Sequence, residues 1–245
     1  MEYNSENKCT ISCVEVDTLV EQYGSPLYVY DVERITSQYH KMSDTFKVFP
    51  HVIHFACKAL TNVSIMKHLG KLGCGIDAVS PGEVKVALMA NIAPENIIFT
   101  PSGPSHEEIK MAYDLKIMIT LDSLNSLKHW GENYSNQPVS IRINPHVLAG
   151  GDDKISVAGI DSKFGISMNY VQEILEIVNE HNIQVHGLHI HTGSDISNGS
   201  DYFDAVDRLI AVSEHFSGLK FLDFGSGFKL SYQKPDCDHD VETDL

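Results

Sequence analysis

VIHFACK, residues 52–58, sets an apolar, β-favouring run directly ahead of a lysine and reads as a short buried strand that ends on Lys58. A lysine in apolar surroundings loses hydration, so such a position calls for an acid partner or for chemistry that uses the amine. Both readings are open at this point. Lys58 is either a barrel-interior lysine paired with an acid such as Asp77, or a reactive amine.

Reading outward from this stretch, the same pattern recurs. Short β-rich runs that close on a polar residue alternate with longer helical segments: VIHFACK, GIDAVS, NIIFTPS, IMITLDS, VSIRINP, VHGLHIHTGS and LKFLDFGSGF. Taking Lys58, Ser80, Pro101, Asp122 and Asn144 as the closing residues, the spacings are 22, 21, 21 and 22, the length of one strand plus one helix. Seven βα units imply a parallel sheet. Ser80-Pro-Gly-Glu83 and Ser105-His-Glu-Glu108 carry the N-cap and capping-box pattern that starts a helix. NVSIMKHLGKLG, GEVKVALMAN and VQEILEIVNE have the apolar spacing of helices that cover a sheet from outside.

Strand alternation then assigns faces. Phe55 and Cys57, Ile141 and Ile143, Leu188 and Ile190, and Leu222 and Phe224 fall on one side, where helices can meet them. The other side carries Ala56 and Lys58, Arg142 and Asn144, His189 and His191, and Asp223 and Gly225, with Asp77 and Asp122 placed similarly. A polar face whose groups converge at strand C-terminal ends is the arrangement of a (β/α)8 TIM-type barrel. An open Rossmann-like sheet is the rival, although no G-x-G-x-x-G follows the first strand. Only seven units are visible and the chain stops at CDHDVETDL, whose acidic residues and Thr243 read as the start of a helix. The expectation is therefore a barrel truncated after its seventh strand, because an unclosed barrel exposes its strand edges.

Composition narrows the partners. Eighteen basic residues against 33 acidic ones give a formal charge of −15 without any Lys/Arg-rich stripe, which argues against nucleic acid. The N-terminal MEYNSENKCTIS lacks a signal-peptide core, and no run approaches the ~18 apolar residues of a membrane span, so a soluble, cytoplasmic protein is expected. Cys9, Cys13, Cys57, Cys74 and Cys237 fit no metal-type spacing and no even framework, as reduced thiols do; no metal site is expected of them. Trp130 reads as packing, and GGDDK at 150–154 as a solvated turn.

Gly225-Ser226-Gly227 after the seventh strand puts no large side chain between its backbone N–H groups and a phosphate, and Ser194 offers a hydroxyl after the sixth. By itself Gly-Ser-Gly is also a turn. An amine able to form a Schiff base, a phosphate cradle and an imidazole, His191, that could cover a flat ring are together what pyridoxal phosphate requires. The competing class is a metal-dependent barrel hydrolase, since His189-x-His191 on a strand has ligand spacing. A cofactor-binding regulator without turnover is a third reading.

At this point HFACKAL, GIDAVSPGE, IRINP, DSKFGIS, GLHIHTGSDI and LDFGSGFK resemble, in order and spacing, the barrel domain of the pyridoxal-phosphate decarboxylases of fold type III, from about residue 25 to the last. The resemblance implies a pyridoxal 5'-phosphate enzyme that removes carbon dioxide from an amino acid. It further implies that Lys58 bonds the cofactor, that His191 stacks on its ring, and that Ser194, Gly225, Ser226 and Gly227 hold its phosphate. Arg142 would approach the phenolic oxygen, Asp77 would lie near the lysine and cofactor, and Lys163-Phe164-Gly165 would follow a loop near a subunit interface. Residues 1–24 would precede a barrel at 25–245, and a homodimer would complete the sites. Two departures stand out: Ala59-Leu60 where many relatives have Ala-Asn, and Gly-Ser-Gly where they have three glycines. The family's later Glu-Pro-Gly segment and its C-terminal β domain, with a functional Cys and Tyr, do not appear, and Cys237 does not match that cysteine's surroundings.

Overall fold

The structure, a computed structural model, describes residues 2–3, 5–147, 158–159, 162–196 and 199–229. The chain opens with three short strands, β1 (Glu2–Tyr3), β2 (Cys9–Ile11) and β3 (Val14–Glu15), paired antiparallel as a small sheet of their own. Helices α1 (Val16–Tyr23) and α2 (Val32–Thr45) follow, the latter capped by the Asp31 carboxylate, which accepts from the Arg34 amide at 3.0 Å. The small sheet has no counterpart in the sequence reading, because two- and three-residue strands are too short to show alternation.

From there strands and helices alternate, apart from one short extra strand at Ile166–Ser167. The elements are β4 (His54–Ala56), α3 (Val63–Lys71), β5 (Gly75–Ala78), α4 (Pro81–Met89), β6 (Ile97–Phe99), α5 (His106–Leu115), β7 (Met118–Leu121), α6 (Leu124–Tyr134) and β8 (Val139–Asn144). They continue with β9 (Ile166–Ser167), α7 (Val171–Glu180), β10 (Val185–His189), α8 (Gly199–Ser213) and β11 (Phe221–Asp223). All seven strands read from sequence are present, parallel, and hydrogen-bonded in chain order from β4 to β11; β9 is an addition that pairs with β8. Serine caps start the helices where the motifs place them. At Ser105 both halves of the capping box form. At Ser80 the hydroxyl accepts from the Glu83 amide, while the Glu83 carboxylate reaches one residue further back, to the Val79 amide at 2.6 Å.

The helix-facing side of the sheet forms one apolar core. Ile76, Phe99, Ile119, Leu121, Ile141 and Leu188 are fully buried against Val84, Ile109, Leu127, Trp130, Ile174 and Leu209 of the helices. The assigned residues Cys57, Ile143 and Ile190 lie in this core, and Phe55, Leu222 and Phe224 pack against it.

The sheet is curled. Electrostatic coupling joins His54 on the first parallel strand to Asp223 on the last, and Asp77 on the second to His189 on the sixth. In a flat sheet at the usual spacing of adjacent strands, β4 and β11 would stand about 29 Å apart, too far for such coupling. The flat Rossmann-like alternative is thereby overturned, and the architecture is an α/β barrel-type curl with helices outside. Its interior below the polar end is filled by large groups over glycines: a Cβ at Gly75 would meet the His54 ring, and one at Gly187 would meet the Phe221 ring. The expected start of a helix at the chain's end and the GGDDK turn fall outside the described residues, as does Cys237. Cys13, Cys57 and Cys74 are free thiols. Among the described residues, no helix is long and apolar enough to cross a membrane.

Ile119 sits at the centre of this core with no exposure, so Ile119→Ala should destabilise the fold by about 2–5 kcal/mol, read as a lower urea midpoint at unchanged slope.

Candidate active site

Register brings the polar residues together. Arg142 of β8 pairs with His189 of β10, and His189 pairs with Asp223 of β11, so the three lie side by side on the inner face. One layer deeper, Thr120, Ser140, Gly187 and Phe221 form the next row. Arg142, His189, Asp122 and Asn144 are buried, at the level where strands end and loops begin.

Asp223 is held by both oxygens. Its Oδ2 lies 2.8 Å from His189 Nδ1, and its Oδ1 accepts the Gly225 amide at 2.9 Å. Burial pushes its carboxyl up, but the charge and hydrogen bond of His189 and the Gly225 amide outweigh this and bring it down to about 2. Asp77, on the opposite side of the curl, behaves differently. Burial raises its carboxyl above the usual range despite the hydrogen bond it accepts from the Thr100 hydroxyl. Burial likewise lowers the Arg142 guanidinium, against the pull of Asp122, Asp77 and Asp223, and its Cζ stands 4.9 Å from the centre of the Phe164 ring. Lys163 Nζ lies 5.0 Å from the same ring.

His191 stands two residues beyond the end of β10 and is half-buried. Burial lowers its imidazole to about 3, helped by the positive charges of Lys58, Arg142 and His189, so the ring is neutral at physiological pH.

Lys58 requires a correction. It does not end a buried strand in apolar surroundings; it stands on the single 3₁₀ turn Cys57–Ala59 that follows β4, and it is exposed. Cys57 takes the buried place instead, with no exposure and its thiol pushed up to about 12 chiefly by burial. The neighbouring Lys58 side chain is left free of the core while staying within electrostatic reach of Asp77 and His191. The amine therefore belongs to the polar end of the barrel, open to solvent.

The glycine turn lies at that same end. A Cβ at Gly225 would collide with the Ile190 carbonyl oxygen and press on His191, and one at Gly227 would run into the Gly193 carbonyl oxygen. Gly225, Gly227 and Gly193 all have positive φ. The glycines are thus required first by the contact between two loops and only then by room for a ligand. Cross-links at 3.0 Å, Ile196 N–H to the Gly227 carbonyl and Lys229 N–H to the Ile196 carbonyl, keep the loops together. Ser194 and Ser226 are exposed at the rim, and the Thr192 hydroxyl is buried beneath without a partner in the structure. An unsatisfied buried hydroxyl close to a glycine turn with exposed serines on either loop fits a phosphate ester. His189 and His191, the pair with ligand spacing, separate here: His189 turns to Asp223 within the barrel and His191 lies beyond the strand. Among the described residues, no group of three or more His, Cys, Asp or Glu could hold a metal ion.

Sequence reasoning missed His54, Thr100 and Tyr202. His54 was readable two residues before Ala56 on the inner face. The burial-raised Tyr202 hydroxyl, near Asp223, comes from α8 and has no sequence signal.

A curled parallel sheet with an amine, a neutral imidazole and a glycine cradle gathered at its C-terminal end defines a barrel-type domain for a phosphorylated cofactor. Residues 32–244 match the family model described as pyridoxal-dependent decarboxylase, pyridoxal binding domain, and the chain belongs to that family. It is 34% identical over 236 residues to the diaminopimelate decarboxylase of Haemophilus influenzae, covering 92% of this chain and 57% of the relative. It is 31% identical to that of Methanothermobacter thermautotrophicus, covering 99% and 58%. Among solved structures, Helicobacter pylori diaminopimelate decarboxylase complexed with L-lysine aligns with a TM-score of 0.84 at 29% identity, covering 89% of this chain and 58% of that one. The chain therefore spans a little over half the length of the relatives it matches.

Because the folded His191 imidazole ionises near 3 instead of its ordinary 6.5, the unfolded chain binds a proton that the folded chain refuses throughout that window. Stability should fall as pH drops from 6.5 towards 3, by up to about 1.4 kcal/mol per pH unit, and His191→Gln should flatten that part of the profile measured by urea unfolding at stepped pH.

Proposed function

We propose that the protein decarboxylates meso-diaminopimelate to L-lysine with pyridoxal 5'-phosphate as cofactor. The observation that carries the reaction class is the meeting of Lys58, His191 and the Gly225–Gly227 turn at one end of the curled sheet. The substrate is supported by relatives named for diaminopimelate, by a neighbouring structure with L-lysine, and by motif wording that, within the family, looks most like the diaminopimelate enzymes.

When bound, pyridoxal phosphate supplies a conjugated ring that accepts the electron pair left on the α-carbon as carbon dioxide departs. The residues of this chain bind and orient. Lys58, exposed and within electrostatic reach of Asp77, would hold the cofactor through its amine. His191 offers a flat, uncharged face to the ring, so it can stack without adding positive charge. The Gly225–Gly227 turn and Ser194 would hold the phosphate, through the Ser226 and Gly227 N–H groups and the serine hydroxyls, while the Gly225 N–H, already given to Asp223, shapes the turn. Arg142, steadied over Phe164 and by the charge of Asp122, supplies the cation for the phenolic oxygen. Asp77 holds its carboxyl, raised by burial, close to the Lys58 amine. We further propose a homodimer in which the partner completes each site, and a cytoplasmic location, where free thiols and an amino-acid biosynthetic enzyme fit.

The test is product analysis with meso-diaminopimelate, ornithine and arginine. Release of carbon dioxide and L-lysine from the first alone is expected. Turnover of ornithine would move the assignment to another branch of the family, and cofactor binding without any carbon dioxide would favour the regulator reading. Lys58→Ala should lose the visible absorption of lysine-bound cofactor together with turnover; an unchanged band and rate would overturn the proposal.

A further inference from the structure

The carboxylate of Asp223 does something that the phosphate cradle alone does not account for. One oxygen accepts the Gly225 amide at 2.9 Å and the other meets His189 Nδ1 at 2.8 Å, while the Asp223 backbone carbonyl accepts the Ile190 amide at 2.9 Å. One residue thus ties the start of the glycine turn to β10, the strand that leads towards His191. Gly225 in turn abuts the Ile190 carbonyl and the His191 backbone and ring. The turn and the imidazole therefore cannot shift independently.

We propose that Asp223 is a positioning residue that sets the Gly225–Gly227 turn for a phosphate ester, with His189 meeting the second oxygen of its carboxylate by a hydrogen bond. The inference rests on the pyridoxal-phosphate reading of the site. The physical difficulty it resolves is plain: an ionised carboxylate beneath a phosphate site repels the ligand unless its charge is met. The other titratable or charged groups coupled to Asp223 are His54 from β4, Asp77 from β5, Arg142 from β8, His191 after β10 and Tyr202 from α8. None of these five is shown hydrogen-bonded to the carboxylate; His189 is, at 2.8 Å.

The chain is titrated with pyridoxal phosphate and with pyridoxal, which lacks the phosphate ester, following the visible band of the lysine-bound aldehyde. The wild-type chain should prefer the phosphorylated form. Asp223→Ala should cut that preference by about tenfold or more, the scale of one hydrogen bond to a charged group. Asp223→Asn keeps an acceptor for the Gly225 amide and should restore most of the preference. His189→Ala leaves the carboxylate unmet and should also cut it, whereas His189→Ala combined with Asp223→Asn should recover it. The same ratio in all variants overturns the inference. If the wild-type chain binds neither aldehyde, the cofactor reading fails instead, and amide exchange at Gly225 decides the role of Asp223 without any ligand. Faster exchange in Asp223→Ala with native-like exchange in Asp223→Asn supports positioning, and equal exchange in all three refutes it.

Discussion

Parallel pairing of β8, β10 and β11 lays Arg142, His189 and Asp223 side by side on the inner face of a curled sheet, and the polar end of the molecule depends on that shared register. Side chains alternate with a period of two, so slipping one strand by a single residue would send its polar group towards the helices and an isoleucine or leucine inward. The free energy gained by burying Ile141, Leu188 and their neighbours on one face thereby enforces the placement of charge on the other. The site is a by-product of core packing, held by the same energy that holds the fold.

Within that frame, charges are sorted by environment. Asp77 and Asp223 are both acids on the inner face, yet burial dominates at Asp77 and raises its carboxyl, while His189 and the Gly225 amide dominate at Asp223 and lower it. His191 is kept neutral by burial and by the cations around it. A neutral flat ring, a firmly ionised acid and a second acid that holds a proton more readily are thus set within one small region. Environments that push titratable groups apart are what a site handling protons and anions needs.

Glycine serves this region through contact as much as through conformation. Gly227 meets the Gly193 carbonyl and Gly225 meets the Ile190 carbonyl, so the loops after β10 and β11 are joined backbone to backbone. Ser226, between them, is exposed, so its side chain does not compete with these contacts.

Seven parallel strands, the helix caps at Ser80 and Ser105, the two faces of the sheet and the inward placement of Arg142, His189 and Asp223 were legible in the residues, because alternation and capping are local rules that write themselves into spacing. Curling was expected from the convergent polar face, but a flat and a closed sheet share one pattern of strands, and the coupling of His54 to Asp223 across seven strands decided between them. The position of Lys58 was misread for a similar reason: a buried Cys57 and an exposed Lys58 make the same string of letters as a strand that ends on a lysine. What the linear chain determined is which residues share a face. Which of them meet across the barrel, and which loops their glycines lock together, was left to tertiary packing, because contacts between residues more than 30 positions apart leave no local trace in the sequence.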